Sequence, residues 1–289
     1  MSAKPLKVLM IGNSFSICVL KYMPSVAAEL GCPLDLASLY IGGCPLQRHA
    51  ANIFAGMSHP EFLPYRVTWH YASLEDQAKA PFAQLLGGDD ASMGNIPQLL
   101  KADAWDIVTI QQASHDSWIP GTYHPWADLV IDTIRTLAPQ ARIYIQQTWS
   151  YCNADARICN GETGGPGSWG IDQTEMYARL TENYKALAAF GGFEIIPTGK
   201  AIQLYRERLP VRDVPEDAVG NFWTDENGEA RVDAIHLNND GKYIQACVWT
   251  AKIFGTDVTR LTSVPEDLKT PANAALLREC ARDAVAAGA

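Results

Sequence analysis

The sequence predicts an α/β fold in which a parallel β-sheet of about five strands lies between two layers of helices, a three-layer α/β/α sandwich. Short, continuous apolar runs alternate along the chain with longer stretches that have helical spacing. A strand buried on both faces has such a continuous apolar run, and strands that alternate with helices form parallel sheets through right-handed crossovers. The length of 289 residues and the 47% of hydrophobic residues fit one globular domain of this class.

The amino-terminal elements follow this alternation. The first strand is predicted over residues 7–11 (KVLMI), where the chain is apolar and rich in strand-forming residues. Helical spacing follows over about 20–30 and ends at Gly31, because glycine is common directly after a helix. A second strand is predicted over 34–41, before Gly43 and its glycine neighbour.

The alternation continues to the end of the chain. Three further strands are predicted, at residues 106–110, 142–146 and 193–196. Helices are predicted at residues 126–137, 173–190, 201–208, 241–254 and 272–286. These elements complete the five-stranded sheet and both of its helical layers.

Two segments interrupt this pattern. Residues 50–95 are too many for a simple crossover, and within them residues 65–71 (YRVTWHY) alternate as an edge strand does. Residues 153–170 are rich in Gly, Asn and Asp, which predicts a surface loop. Without repeats or low-complexity linkers, we expect one domain over 1–289, with an insertion at about 50–95 and a helical extension at about 262–289.

Composition excludes several classes of function. The net charge of −9 and the absence of a Lys/Arg run argue against nucleic acid as a partner. No run approaches 18 apolar residues, and the first residues lack a cleavage site, so we expect a cytoplasmic protein that does not contact membranes. The seven cysteines contain no C-x-x-C pair and no His, Asp or Cys cluster has metal-ligand spacing, so no disulfide framework, metal or cofactor is expected. The oligomeric state stays open.

The end of the first strand carries the first candidate for chemistry. In an open parallel sheet, ligands bind at the carboxyl ends of the strands. Ser14 follows the first strand in Gly12-Asn13-Ser14-Phe15-Ser16, at a strand-to-helix turn where backbone N–H groups can stabilise an oxyanion. The position suits a nucleophile, and it also suits a serine that only caps the helix, which is the commoner role.

A serine nucleophile needs a base and a group that orients the base. Of the six histidines, His236 is preceded three positions earlier by Asp233, just before the last full helix. In a turn, this carboxylate would reach Nδ1 of the histidine and leave Nε2 facing outward. The alternative is a surface turn in which Asp and His occur together by chance.

Four motifs in this order together resemble the SGNH (GDSL-type) hydrolase superfamily. They are Gly-Asn-Ser at 12–14, Gly43 after the second strand, Asp-x-x-His at 233–236, and the following Asn-Asn-Asp-Gly at 238–241. That last run is similar to the family's His-Pro-Asn-x-x-Gly-Tyr, with Leu237 in place of the proline and Tyr243 one position later. The run 11–16 (IGNSFS), Gly-Gly-Cys at 42–44 and Gln-Gln at 111–112 resemble a bacterial branch with Gly-Asn-Ser-Phe in place of Gly-Asp-Ser.

The resemblance implies a flavodoxin-like sheet and a serine ester hydrolase. It assigns Ser14 as nucleophile, His236 as general base and Asp233 as the carboxylate that orients it. It also implies an oxyanion hole built from the N–H groups of Ser14 and Gly43 and from an asparagine side chain.

The asparagine of the oxyanion hole has no direct counterpart in this chain. Aligning 106–117 with the family pattern places His115 at that position, and a histidine ring nitrogen can donate. Gln112 could also donate, since its amide is chemically equal to that of asparagine. A third possibility is that Gln111 and Gln112 only satisfy backbone groups at the strand end.

Other residues near the strand ends are predicted to contact the substrate. Asn13 stands where the family has aspartate, Gln147 and Trp149 follow the fourth strand, and Trp118 lies in a loop. Exposed tryptophans can stack on sugar rings, although each can equally be a buried packing residue.

The predicted function is therefore hydrolysis of a small-molecule ester through an acyl-enzyme, with acetyl or another short acyl group removed from an acylated sugar. The alternatives are a lipid or thioester hydrolase of the same fold, or a non-catalytic flavodoxin-like binding module that has lost its third oxyanion donor.

Overall fold

The computed structural model describes residues 4–71, 92–159, 167–209 and 217–288. Its strands are β1 (Leu6–Gly12), β2 (Leu34–Tyr40), β3 (Tyr65–His70), β4 (Met93–Gly94), β5 (Ile107–Ile110), β6 (Arg142–Gln146), β7 (Glu194–Ile196), β8 (Val219–Thr224) and β9 (Ala230–Leu237). Its α-helices are α1 (Ser14–Ile17), α2 (Met23–Glu29), α3 (Leu46–Ser58), α4 (Ile96–Ala102), α5 (Trp126–Leu137), α6 (Gln173–Gly191), α7 (Thr198–Arg208), α8 (Asn239–Phe254) and α9 (Ala274–Ala287).

The main sheet has seven strands in the order β4-β3-β2-β1-β5-β6-β7. Five neighbouring strands run parallel to one another: β2, β1, β5, β6 and β7. Strand β3 is antiparallel to β2, and β4 is antiparallel to β3. In chain order the parallel strands are arranged 2-1-3-4-5, the flavodoxin-like arrangement with β1 at the switch point. This confirms the predicted α/β/α fold with five parallel strands and the further strand predicted at 65–71, and it adds the short strand β4 beyond that strand.

The central strands are buried on both faces, as their continuous apolar runs predict. Val8, Leu9 and Met10 of β1 are completely inaccessible to solvent. Helix α3 packs against α4 and α5, and α8 packs against α2, α7 and α9. Burial of apolar surface by these layers supplies the main driving force for folding.

The bounds of several predicted helices differ from those that the sequence predicts. Helix α8 begins at Asn239, since the side chain of Asn238 accepts a hydrogen bond from the Gly241 N–H. The helix predicted over 20–30 is divided into a 3₁₀ turn (Cys18–Lys21) and α2. Proline in the first turn of α2 supplies no N–H, and this position marks the start of a new helix.

The segments that interrupt the alternation are only partly described. The insertion predicted at about 50–95 contains the end of α3, then β3 and β4, and its residues 72–91 lie outside the described residues. In the predicted loop at 153–170, Ile158 forms an isolated bridge with Ile171 just beyond the loop, and residues 160–166 also lie outside the described residues. The final helix begins at Ala274 rather than residue 272.

The main difference from the prediction is an antiparallel hairpin of β8 and β9, separate from the main sheet. The sequence predicts a turn around Asp233 and His236, but both residues lie in β9 of this hairpin. The alternation of apolar and polar residues is weak there, because much of the hairpin is exposed. Among the described helices, none combines the length and apolar character needed to cross a bilayer.

A buried ion pair fixes the base of this hairpin. The guanidinium of Arg206 in α7 contacts the carboxylate of Asp217 at 2.9 Å, and both side chains are almost buried. Arg206 also donates to the hydroxyl and carbonyl oxygens of Ser150, after β6. Asp217 in turn accepts from the Val219 N–H, the first residue of β8.

We expect Arg206→Ala to lower the free energy of unfolding by about 3–5 kcal/mol, because it leaves the Asp217 carboxylate buried without its partner. The matched control is Arg231→Ala, since Arg231 also pairs with an aspartate but is 49% exposed. That control should cost about 1 kcal/mol or less. Urea denaturation measures both variants, and equal losses would contradict this account of the hairpin base.

Candidate active site

Ser14 is the first residue of α1, directly beyond the carboxyl end of β1. Asn13 caps this helix, because its Oδ1 accepts a hydrogen bond from the Phe15 N–H at 3.0 Å. Gly12 permits the tight turn, since a Cβ atom at this position would collide with the side chain of Ser16. The turn leaves the Ser14 side chain half-buried.

Buried amide side chains from neighbouring elements hold this turn in place. The carbonyl oxygen of Phe15 accepts hydrogen bonds from Nε2 of Gln146 at 2.7 Å and from Nε2 of Gln245 at 2.8 Å. Nε2 of Gln111 donates to Oδ1 of Asn13 at 2.7 Å. These glutamines lie at the end of β6, in α8 and just after β5, so three separate elements fix the position of Ser14.

The structure brings Ser14, His236 and Asp233 together. Nε2 of His236 lies 2.8 Å from Oγ of Ser14, and Nδ1 lies 2.8 Å from Oδ2 of Asp233. The side chains of His236 and Asp233 are 37% and 31% exposed, so the site opens to solvent. With Nδ1–H donating to the carboxylate, Nε2 is left as the acceptor for the serine hydroxyl proton.

A bulge in β9 makes the contact between Asp233 and His236 possible. In a regular strand, residues three apart point to opposite faces. Here the register shifts, because Val219 pairs with Leu237 while Asn221 pairs with Asp233. An advance of two residues along β8, from Val219 to Asn221, is therefore matched by four residues along β9, from Leu237 to Asp233. The extra residues of β9 form the bulge and turn His236 towards the aspartate. The same carboxylate stabilises the bulge.

Oδ1 of Asp233 accepts hydrogen bonds from the backbone N–H groups of Ile235 and His236, each at 3.2 Å. Its Oδ2 is thereby directed at the imidazole of His236. Asp233 therefore both shapes the backbone of the bulge and orients the ring. The sequence indicated the pairing of Asp233 with His236, but the structural element that carries them is a bulged strand and not a turn.

Two of the residues assigned to the oxyanion hole lie in loops at this edge of the sheet. Gly43 has φ +59° and is exposed, and the next residue, Cys44, accepts a hydrogen bond at its carbonyl from Nδ2 of Asn13. This bond ties the loop after β2 to the turn that carries Ser14. His115 lies in the loop after β5 and its side chain is 44% exposed. The roles of Gly43 and His115 stay predictions.

The structure corrects the expectation for Gln112. Its side chain is fully buried, its Oε1 accepts from the backbone N–H groups of Leu46 and Ala113, and its Nε2 donates to the carbonyl of Thr122. Gln112 therefore satisfies backbone groups at the strand end, which is the alternative that the sequence left open, and we remove it from the oxyanion donors.

Three of the four predicted substrate contacts are also corrected. Asn13, Gln147 and Trp149 are at most 1% exposed and cannot line an open pocket. The side chain of Gln147 instead bridges helices, because it donates to Thr181 and accepts from the Lys200 N–H at the start of α7. Trp118 is partly exposed beside Trp169, at 5.4 Å between ring centroids, and its role stays a prediction.

A cluster of buried titratable groups lies behind the Gly43 loop. Nδ1 of His49 is 2.9 Å from the Tyr65 hydroxyl and 3.6 Å from Sγ of Cys44. Burial lowers the pKa of His49 to about 3 and raises the pKa of Cys44 to about 12, and it also raises the pKa of Tyr65. All three groups are therefore neutral near pH 7, and Cys44 is a structural thiol.

Among the residues that the structure describes, no group of three or more His, Cys, Asp or Glu side chains could hold a metal ion. All seven cysteines are free. The site consists of a hydroxyl, an imidazole and a carboxylate in line, and this arrangement can withdraw the hydroxyl proton during attack on an electrophile.

This chain is similar in sequence to one protein family and similar in fold to solved structures. Residues 88–284 match the family model described as "Domain of unknown function (DUF4886)". A DUF4886 family protein from Bacteroides uniformis is 25% identical, with a TM-score of 0.73 over 98% of this chain and 95% of that one. A candidate SGNH hydrolase from Slackia heliotrinireducens is 18% identical, with a TM-score of 0.51 over 86% of this chain and 100% of that one. No curated protein matches this chain.

These similarities confirm the fold that the resemblance to the SGNH superfamily implies. The B. uniformis relative matches almost the whole chain, so the insertion and the carboxyl-terminal helix fall within the aligned region. The candidate SGNH hydrolase from S. heliotrinireducens shares the fold over 86% of this chain. A shared fold does not by itself assign an activity.

We expect Asn13→Asp to lower the free energy of unfolding by about 1–3 kcal/mol, because the Cys44 carbonyl loses its donor and a buried carboxylate faces it. The two bonds that Oδ1 accepts would remain, so the variant should still fold. The control is Asn227→Asp in an exposed turn, which should change stability by no more than about 0.5 kcal/mol. An Asn13→Asp protein as stable as the wild type in urea would contradict this role of Asn13.

Proposed function

The chain belongs to the DUF4886 family, and we propose that it is a serine ester hydrolase that works through an acyl-enzyme. One observation carries this proposal: the 2.8 Å contact between Oγ of Ser14 and Nε2 of His236, two residues 222 positions apart. A serine that only caps a helix needs no imidazole at its hydroxyl. The Asp233 carboxylate on the far side of the ring supports the same interpretation.

In the proposed mechanism, Nε2 of His236 takes the proton of the Ser14 hydroxyl as Oγ attacks the carbonyl carbon of the ester. The carbonyl electron pair moves onto oxygen and forms a tetrahedral oxyanion. When this intermediate collapses, the alcohol leaves and takes the proton from His236. A water molecule then gives its proton to His236 and attacks the acyl carbon, and Ser14 leaves with the proton restored.

Asp233 would stabilise the imidazolium that forms in each half of this cycle. Its carboxylate accepts from Nδ1–H and so fixes both the tautomer and the ring orientation. The backbone N–H groups of Ser14 and Gly43 would stabilise the oxyanion, and the half-exposed His115 is the remaining candidate for a third donor.

We propose an acylated carbohydrate with a short acyl group as the substrate, and the hairpin supports this choice. Asn221 pairs with Asp233, and Trp223 pairs with Arg231 two positions further along. Because side chains alternate along strands, Trp223 lies on the same face of the hairpin as Asp233, roughly 7 Å away along the strand. Trp223 is 51% exposed, so a flat apolar ring with a donor at its edge is accessible on the Asp233 face of the hairpin.

Such a ring suits a sugar, whose faces are apolar and whose rim carries hydroxyl groups. The neighbouring Phe222 is 44% exposed but lies on the other face of the hairpin. The hairpin therefore provides an internal comparison between an aromatic ring on the side of Asp233 and one on the opposite side.

We expect Ser14→Ala to reduce kcat for p-nitrophenyl acetate by on the order of 10³-fold or more, as in other serine triads. The matched control is Ser16→Ala, because Ser16 lies two residues away and its hydroxyl donates only to the carbonyl of Asn13. That variant should lose no more than about tenfold, since it keeps the reacting groups. Hydrolysis by Ser14→Ala at the rate of Ser16→Ala would refute the proposed function.

We expect Trp223→Ala to raise KM for an acetylated sugar about tenfold, by analogy with a nucleic-acid base stacked on an aromatic ring, which gains roughly 1–3 kcal/mol. KM for p-nitrophenyl acetate should change little, since that ester has no sugar ring. Phe222→Ala, on the opposite face, should leave both KM values near those of the wild type. Steady-state kinetics distinguish these outcomes, and equal effects of the two variants would rule out a sugar platform at Trp223.

A further inference from the structure

Trp149 lies between the two halves of the candidate site. It follows β6 in the chain, it is completely buried, and so it does not contact a substrate. We propose that Trp149 is a positioning residue that sets the geometry between the Ser14 hydroxyl and the His236 imidazole. This inference rests on the proposed function, and it adds a residue that neither contacts the reacting atoms nor belongs to the triad.

On the nucleophile side, Trp149 supports the residue directly after Ser14. Its indole stacks on the ring of Phe15, with centroids 4.1 Å apart and planes inclined by 15°. The carbonyl of Phe15 is fixed by Gln146 and Gln245. The side chain and the backbone of Phe15 are therefore both held, and Ser14 has little freedom to move away from this support.

On the base side, Trp149 binds the residue directly before His236. Its Nε1–H donates to the carbonyl oxygen of Ile235 at 2.9 Å. The same peptide unit includes the N–H of His236, which donates to Oδ1 of Asp233 at 3.2 Å. Because a peptide unit is planar, hydrogen bonds at both of its edges fix its orientation and hence the direction of the His236 side chain.

The base needs this anchor because of where it lies in the fold. His236 is in the β8–β9 hairpin, which does not pair with the seven-stranded main sheet. Over the bulge the ladder between β8 and β9 is interrupted, so residues 234–236 lose regular pairing. The segment after β6 replaces the missing bonds: Trp149 binds Ile235, and the Cys152 N–H donates to the Ala234 carbonyl at 3.0 Å.

Trp149→Phe tests this role, because phenylalanine keeps an aromatic ring beside Phe15 but cannot donate to Ile235. We expect kcat for p-nitrophenyl acetate to fall about 10- to 100-fold, since small displacements of reacting groups carry losses of this size. KM should stay within about twofold, because Trp149 is completely buried and does not contact a substrate.

The matched control is Trp105→Phe. Trp105 is also completely buried, and its Nε1–H also donates to a backbone carbonyl, that of Leu99, at 2.7 Å. It precedes β5 and so lies at the opposite end of the parallel sheet from Ser14. Both substitutions remove an indole donor from a buried site, and we expect similar losses of thermal stability but a loss of kcat only in Trp149→Phe.

A Trp149→Phe enzyme with the kcat of Trp105→Phe, measured beside an inactive Ser14→Ala, would overturn the positioning role and leave the proposed function intact. An active Ser14→Ala would remove the proposed function and the inference with it. If Trp149→Phe does not fold, Phe15→Leu removes the stacking from the other partner. That variant should also lower kcat about tenfold or more with KM unchanged, and a wild-type kcat would overturn the proposal.

Discussion

The hydrogen bond between the Ser14 hydroxyl and the His236 imidazole is the contact on which the functional account depends. Its two residues lie in elements that share no sheet: Ser14 follows β1 at the centre of the parallel sheet, and His236 lies in a separate hairpin. Chain connectivity alone cannot bring them together at 2.8 Å. The surrounding structure must hold both elements, and it does so at the carboxyl ends of the parallel strands, where ligands bind in this class of fold.

Buried polar side chains provide much of this support. Gln111 and Gln146 follow or end neighbouring parallel strands, and Gln245 reaches the same turn from α8. Hydrogen bonds of this kind are stronger in a low-dielectric interior than in water, and they are directional, so they specify one arrangement of the turn. Asn13 extends the network to the loop after β2 through the Cys44 carbonyl. A packed apolar core alone would supply stability without this precision.

The fold and the main residues of the site can be predicted from the sequence more readily than the elements and buried side chains that hold those residues in place. Continuous apolar runs identify buried parallel strands, and Ser14 and His236 stand out because few residue types suit a nucleophile and its base. The hairpin was not predicted, since its strands are largely exposed and its bulge breaks the alternation at the very residues of interest. The sequence places Gln147 and Trp149 directly after a strand and so suggests that they contact substrate, but it does not show which way their side chains point. Gln245 lies in the middle of a helix, where no local signal marks it.

The most direct measurement of the central claim is covalent labelling of the intact protein with a fluorophosphonate, followed by identification of the modified peptide by mass spectrometry. Only a serine made nucleophilic by a neighbouring base reacts readily with such a probe. We expect one adduct per chain, on Ser14, and a strong decrease of its formation rate in His236→Ala. An unlabelled protein, or an adduct on another serine that forms at the same rate in His236→Ala, would contradict it.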